Sequence, residues 1–294
     1  MRSTLKLIAC LALTALIASY AGRLHPLGDS LAVFRPVLAL LLLPLALAFG
    51  GWWRAGVLAA GIAALAPILW MMRPVALPPG PPDALIGVYQ KNLLYRRPDP
   101  AALLADMRES GADVIFLQEL SDANLPIVAA LAESHPHHLI CPAHRVGAVA
   151  ILSAYPMAAQ SCREGSGYAM ARVAHPSGAF TAIALHLHWP WPHGQPAQLD
   201  AIMGDLAPAP APVIVGGDFN MISWAGAPRR IASATGTRIA APWHPTYILE
   251  PVHYPMPIDH ILVPRDWPAA VSRRGLLGSD HYGLLARIAP PGPR

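Results

Sequence analysis

Val213-Ile-Val-Gly-Gly-Asp-Phe-Asn220 is the stretch from which the fold of this chain is read. Its first three residues form a short, fully apolar run, the mark of a buried strand. Two glycines follow, and they let the backbone turn sharply where the strand ends. If the extended conformation continues past them, Asp218 and Asn220 project the same way, because strand side chains alternate with a period of two. A carboxylate acceptor and an amide donor then face one spot, suited to a nucleophilic water and a phosphoryl oxygen. Gly-Asp-Phe-Asn alone also fits a capped turn, so the neighbouring segments have to decide.

They repeat the arrangement. Ala84 to Asn92, Asp113 to Gln118, Val146 to Leu152, Ala179 to Leu187, Asp259 to Val263 and Gly283 to Ile288 are short apolar, strand-like runs. Pro100 to Ser110, Ser121 to Ser134 and Gln195 to Leu206 read as helices, the second opened by a Ser/Asp cap. Mixed strands and helices over roughly 210 residues predict an α/β layered sandwich. Asn92, Glu119, Asp218 and Asp280 each stand at or near the end of an apolar run, where polar groups gather at one rim of a sheet. Hard divalent cations take carboxylate and amide oxygens and keep several waters, so these residues make an adequate shell. Ser279-Asp280-His281 adds an acid and a base. A histidine is the usual general base near neutral pH and works better when a carboxylate holds its tautomer, for which Asp259 is the candidate. His186 ends its own strand and is placed to donate to a phosphate or a leaving oxygen. His260 alternates away from Asp259. The remaining histidines form no HExxH and no Cys/His ligand pair, which removes the zinc reading.

Taken in order, Lys91-Asn92, Asp113-Val-Ile-Phe-Leu-Gln-Glu119, Gly147 to Ser153 with Pro156, His186-Leu187, Gly217-Asp-Phe-Asn220, Ile258-Asp-His-Ile-Leu262 and Ser279-Asp-His281 resemble the endonuclease/exonuclease/phosphatase superfamily. The resemblance implies a four-layered α/β/β/α sandwich with two central sheets. It implies Mg²⁺ or Mn²⁺ at Glu119, assisted by Asn92 and Asp280. Asp218 and Asn220 would orient nucleophile and phosphate, His281 with Asp259 would form the base pair, and His186 would stabilise the transition state. Ala154 stands where the family often has Arg, and Gly283 where it commonly has Pro.

The first quarter of the chain is of another kind. Hydrophobic residues make up 54% of the 294 and charged residues only 13%, well below the roughly 25% of a soluble domain. The apolar excess is concentrated before residue 73. Three stretches, 5–21, 31–49 and 55–72, approach the ~17–25 residues of a membrane-crossing helix, with Trp52, Trp53 and Trp70 near their ends, where such rings favour the interface. Arg35 lies near the start of the second, positioned to snorkel toward headgroups. The expected organisation is a membrane region, 1–73, a proline-rich connector, 74–82, and a catalytic domain, 83–294. The first stretch also fits a cleavable signal peptide. Arg2, Lys6 and Arg54 on the cytoplasmic side would place the catalytic domain outside the cytoplasm of a bacterial inner membrane. A bond between Cys141 and Cys162 would suit that oxidising side; two unpaired thiols are the alternative.

The function expected is metal-dependent hydrolysis of a phosphodiester by in-line attack of water, nuclease-like, with nucleic acid or a phospholipid headgroup as substrate. A phosphatase is a variant of that reading. A non-catalytic binding protein tethered to the bilayer is the alternative of another class. The net charge of +4 suits a polyanionic partner but forms no dense basic block, and nothing points to an obligate protein partner.

Overall fold

Strand-forming runs and amphipathic helices alternate from Ile86 to Ile288, after a purely helical N-terminal region. The structure, a computed structural model, describes residues 2–79, 84–96, 100–144 and 146–291. The end of the proline-rich connector, residues 80–82, lies outside them. The helices are α1 (Arg2–Ala18), α2 (Leu27–Ala32), α3 (Arg35–Leu45, continued by a 3-10 turn over Ala46–Ala48), α4 (Gly51–Trp70), α5 (Ala101–Glu109), α6 (Leu125–Ala130), α7 (Gln195–Leu206) and α8 (Gly226–Ala234). The strands are β1 (Ile86–Asn92), β2 (Val114–Leu120), β3 (His137–His144), β4 (Gly147–Ser153), β5 (Met157–Arg163), β6 (Tyr168–Val173), β7 (Phe180–His186), β8 (Val213–Asp218), β9 (Thr237–Ile239), β10 (Tyr247–Leu249), β11 (Tyr254–Met256), β12 (Asp259–Pro264), β13 (Ala269–Arg273) and β14 (Leu284–Ile288).

Two six-stranded sheets carry the domain. One has the order β13-β14-β1-β2-β4-β3 and the other β5-β6-β7-β8-β12-β9; β10 and β11 form a separate hairpin. Alternating side chains divide each sheet into two faces. Val88, Val114, Phe116 and Ile151 of the first sheet meet Ala171, Ala182, Ala184 and Ile261 of the second in a core between them. The outer face of the first sheet buries Leu103 and Met107 of α5 and Ile127 of α6. The outer face of the second buries Leu199 and Ile202 of α7 and Ile231 of α8. The expected four layers are therefore present. Gly216 has a different reason from the one its sequence suggested. It lies inside β8, and a Cβ there would fall 2.1 Å from the Phe116 ring, so the glycine admits an aromatic from the opposite sheet rather than a turn.

The N-terminal region differs from three membrane crossings. Only α4, 20 residues long, is long and apolar enough to cross a membrane among the described residues, and about 30 Å fits one crossing. The stretch 31–49 is not one helix; it breaks between α2 and α3 at Val33 and Phe34. The first helix ends at Ala18, before a series of turns. Arg35 does not snorkel outward. It is 3% exposed, donating from Nε to Ser19 Oγ (3.0 Å), from Nη2 to the Ser19 carbonyl (2.5 Å) and from Nη1 to the Trp224 carbonyl of the two-sheet domain (3.2 Å).

That contact belongs to a seam. Trp224 Nε1 donates to the Ala32 carbonyl (2.8 Å), Tyr254 Oη to the Val33 carbonyl (2.7 Å) and Trp243 Nε1 to the Ile68 carbonyl (3.0 Å). Ser30 Oγ donates to the Trp191 carbonyl (2.6 Å). The Gly226 amide, at the start of α8, donates to Asp29 Oδ1 (2.8 Å), so this helix is capped from 197 residues away. Ala32, Val33 and Ile68 share an apolar cluster with the domain. Helix α2, the turn after it and the Ile68 end of α4 are thus packed on the domain. The far side of the second sheet holds Cys162 on β5, bonded to Cys141 on β3 of the first sheet.

Candidate active site

The polar strand ends converge at one rim, and strand register explains how. Parallel pairing of β7 with β8 sets His186 beside Asp218, and antiparallel pairing of β8 with β12 sets Asp259 on its other side. The three side chains lie in one row on the face turned toward the first sheet. His260, one residue on, faces the helices, where its Nε2 lies 2.7 Å from the Met221 carbonyl. Burial pushes its pKa down to about 4, leaving a neutral ring.

From the first sheet, β1 brings Asn92 and β2 brings Glu119. The β2–β4 ladder slips between Leu117 and Leu120, and Glu119 adopts φ +55° within that bulge. The bulge re-aims its carboxylate toward the rim. Gly147 makes the space opposite, since a Cβ there would lie 2.8 Å from the Glu119 carbonyl carbon. Asn92 Nδ2 then donates both to Glu119 Oε1 (3.2 Å) and to Asp218 Oδ2 (3.0 Å), tying the two sheets together. Its Oδ1 accepts the Leu94 amide (3.0 Å). Asn220 arrives by a turn, not by strand alternation. Its φ is +46°, its amide N donates to Asp218 Oδ1 (2.8 Å), and its Nδ2 donates to the Leu187 carbonyl (2.7 Å). An asparagine suits this left-handed position.

His281 closes the site. Its Nδ1 lies 2.8 Å from Asp259 Oδ2, and its Nε2 lies 3.9 Å from Asp218 Oδ2; His186 Nε2 is 3.6 Å from the same oxygen. Burial disfavours a charged His281, yet Asp259 and Asp218 outweigh it and raise its pKa to about 9. Burial pushes Asp218 up to about 7, with His281 opposing and Asp259 adding. Burial also pushes Asp259 upward, but the charge and hydrogen bond of His281, with hydrogen bonds from Thr246 and Gln90, hold it below the usual carboxylate range. Asp218, Asp259 and His281 can bring one ligand atom each within 4.8 Å of one another. Asp259 engages His281 Nδ1 and leaves Nε2 free, so the trio has the donors for a proton or for a cation.

Glu119 and exposed Asp280 stand at the other side of a cavity of about 570 Å³ lined also by His186, Asp218, Asn220 and His281. Burial raises the Glu119 pKa, the Tyr95 amide and Asn92 oppose this, and Asp280 adds to the rise. An oxygen-only donor set fits a hard dication. Asn92 spends its amide on holding both carboxylates.

Several residues at the site carried no obvious signal. Tyr247 lines the cavity with its ring 5.0 Å from that of His281, and it comes from a three-residue strand too short to show periodicity. Gln90 donates to Asp259 Oδ1 (2.8 Å) across the two sheets. It occupies a core-facing position after Ile86 and Val88, and an amide in that alternation was the available clue. Lys91, fully buried, donates to the carbonyls of Gly275, Leu276 and His281 and so fixes the loop that carries the histidine. The helix expected over Ser121 to Ser134 is only α6. Asn124 Nδ2 donates to the Leu94 and Glu119 carbonyls and Ser121 Oγ to the Tyr95 carbonyl, so these side chains brace the loop beside Glu119 instead of capping a helix.

The sequence profile of the Endonuclease/Exonuclease/phosphatase family matches residues 89–281. Comparison with curated protein sequences returns no match. Among solved structures, TDP2 from D. rerio, complexed with a single-strand DNA product, superposes with a TM-score of 0.56 at 16% identity, covering 70% of this chain and 99% of that one. Truncated TDP2 from Caenorhabditis elegans gives 0.55 at 17% identity, covering 70% and 98%. A mutant beta toxin from Staphylococcus aureus with bound magnesium ions gives 0.52 at 13% identity, covering 69% and 99%.

Proposed function

Since the chain belongs to the Endonuclease/Exonuclease/phosphatase family and has a phosphoesterase fold, we propose that it is a membrane-attached, divalent-metal-dependent phosphodiester hydrolase in which water attacks in line. The observation that carries this reading is the row His186–Asp218–Asp259, with His281 engaged by Asp259, facing Glu119 and Asp280 across one cavity. Glu119 and Asp280 would hold Mg²⁺ or Mn²⁺, with Asn92 orienting Glu119. The bound ion supplies positive charge that stabilises the phosphoryl oxygens and lowers the proton affinity of its surroundings. Asp218, fixed by Asn92 and the Asn220 amide, orients the attacking water. His281 with Asp259 handles its proton, and His186 faces the phosphate or leaving oxygen. The likeness to a protein solved with a DNA product supports a nuclease-like substrate, and the likeness to one solved with magnesium supports the metal.

A lipid phosphodiester is the second reading, and one observation favours it. All but Leu125, Trp189, Trp191, Val252 and Leu276 of the exposed large hydrophobic side chains among the described residues fall within residues 5–72. So large an apolar surface asks for a bilayer or a partner, and α4 supplies a crossing. The Cys141–Cys162 bond supports a location outside the cytoplasm. The full-length chain in detergent, assayed with Mg²⁺ or Mn²⁺ and with a chelator, separates the substrates: acid-soluble nucleotide released from DNA against phosphorylated headgroup released from labelled lipid. Metal-independent turnover, or none on either substrate, rejects the proposal.

A further inference from the structure

The active-site cavity is not the largest one. A second, of about 760 Å³, lies in the seam between the helical region and the domain, and it shares no lining residue with the first. It is assembled from three separate parts of the chain: the turns between α1 and α2, the segment leading into α7, and α8. Its charged lining is Arg23, Arg229, Arg230 and Asp29, and Tyr20 and Trp191 give it aromatic walls. The one acid is already engaged, since Asp29 Oδ1 accepts the Gly226 amide. Arg229 is held in place by the Ala225 and Trp224 carbonyls, through Nε (3.0 Å) and Nη2 (2.7 Å). Arg230 reaches Asp200 in an exposed pair at 2.6 Å, which contributes little hold. Arg23 is exposed and makes no hydrogen bond or ion pair among the described residues.

Three guanidinium groups beside aromatic walls favour a phosphate, which they bind through paired N–H donors. The position says which phosphate. Trp191, 40% exposed, lines the cavity, and Leu24 and Leu27, 88% and 41% exposed, are chain neighbours of its lining residues Arg23 and Pro26, in the turns that follow α1. With the apolar helices in lipid, that level is where headgroup phosphates and amphipathic rings sit. We propose that this cavity binds the headgroup of an anionic phospholipid, as a site separate from the catalytic one. The proposal rests on the membrane attachment given above.

Its test is native mass spectrometry of the full-length chain in detergent, titrated with phosphatidylglycerol or phosphatidylcholine. The double variant Arg23→Gln/Arg230→Gln is expected to weaken phosphatidylglycerol binding about tenfold or more, to leave phosphatidylcholine binding unchanged, and to keep its turnover of a soluble bis-aryl phosphodiester. Arg23→Gln alone removes a side chain with no hydrogen bond or ion pair among the described residues, and a smaller loss of the same selectivity is expected from it. Equal phosphatidylglycerol binding by wild type and both variants overturns the site. Full displacement of the lipid by glycerol phosphate at matched concentration overturns the lipid assignment. Alkaline extraction of membranes is read in parallel: release of the wild-type chain would sink the attachment itself, whatever the arginines bind.

Discussion

Buried charge is handled in two different ways in this molecule. At the rim, Asp218, Asp259 and His281 are each 5% exposed or less and hold one another by opposite charge. At the seam, Arg35 is equally buried but has no carboxylate in hydrogen-bonding contact among the described residues: oxygens of Ser19 and Trp224 accept from it, and the Tyr20 ring lies 3.9 Å from its Cζ. The difference separates two tasks. Groups whose proton affinity depends on their neighbours can exchange protons with a reacting water. A guanidinium stays charged in a protein, so its five donors serve to fix position. In the function proposed above, the rim serves proton traffic and the seam orientation.

The sharpest way to break this contrast is at the rim. Asp218→Ala and His281→Ala are each expected to lower turnover by about 10²-fold or more, while the phosphatidylglycerol selectivity of the seam cavity persists. Undiminished metal-dependent turnover in both variants would remove the proton-handling role. Next comes His260, behind the rim. Its folded pKa, about 4, lies below its unfolded value, so the unfolded chain binds the extra proton as pH falls. Its contribution is complete above about pH 6.5 and is lost progressively down to about pH 4, by up to about 3 kcal/mol. Denaturant melts of wild type and His260→Gln across that window should converge as pH falls; parallel curves would show that the ring is not held neutral. Arg35→Met should cost about 2 kcal/mol by removing the hydrogen bonds to Ser19 and Trp224, lowering the melting temperature while kcat per folded molecule is kept. A fall in kcat without a fall in melting temperature would erase the distinction between the two regions. The smallest effect concerns Asn92→Ala, which frees Glu119 and should raise the Mg²⁺ or Mn²⁺ concentration for half-activation about tenfold. An unchanged requirement would leave Asn92 no part in metal binding.

The rim was readable because its residues end apolar strands, and strand ends are visible in a single sequence. Asn92, His186 and Asp218 end their strands as that reasoning has it, whereas Asp259 begins β12 and is reached only as the carboxylate partner of His281. Glu119 also stands near its strand end, but the bulge that aims it is a matter of register between β2 and β4, which no local pattern encodes. The same limit applies to Asn220, whose position depends on a left-handed turn rather than on continuing alternation. The hairpin carrying Tyr247, and edge strands such as β9, are too short for a period to show. The N-terminal region was misread for a different reason. Hydropathy counts apolar residues and cannot see that Arg35 has the Trp224 carbonyl waiting 189 positions ahead.

The cap that Asp29 gives to α8 has a consequence for how the protein is made. About two hundred residues must leave the ribosome before the carboxylate meets the amide it serves. Until then Arg35 has Ser19 and Tyr20 beside it, but Asp29 and the carbonyls of Ala32 and Val33 lack their partners from the domain. The apolar helices emerge first and need a place to wait. A chain assembled in this order commits to its surroundings early, and its catalytic half matures last, against a scaffold already in place.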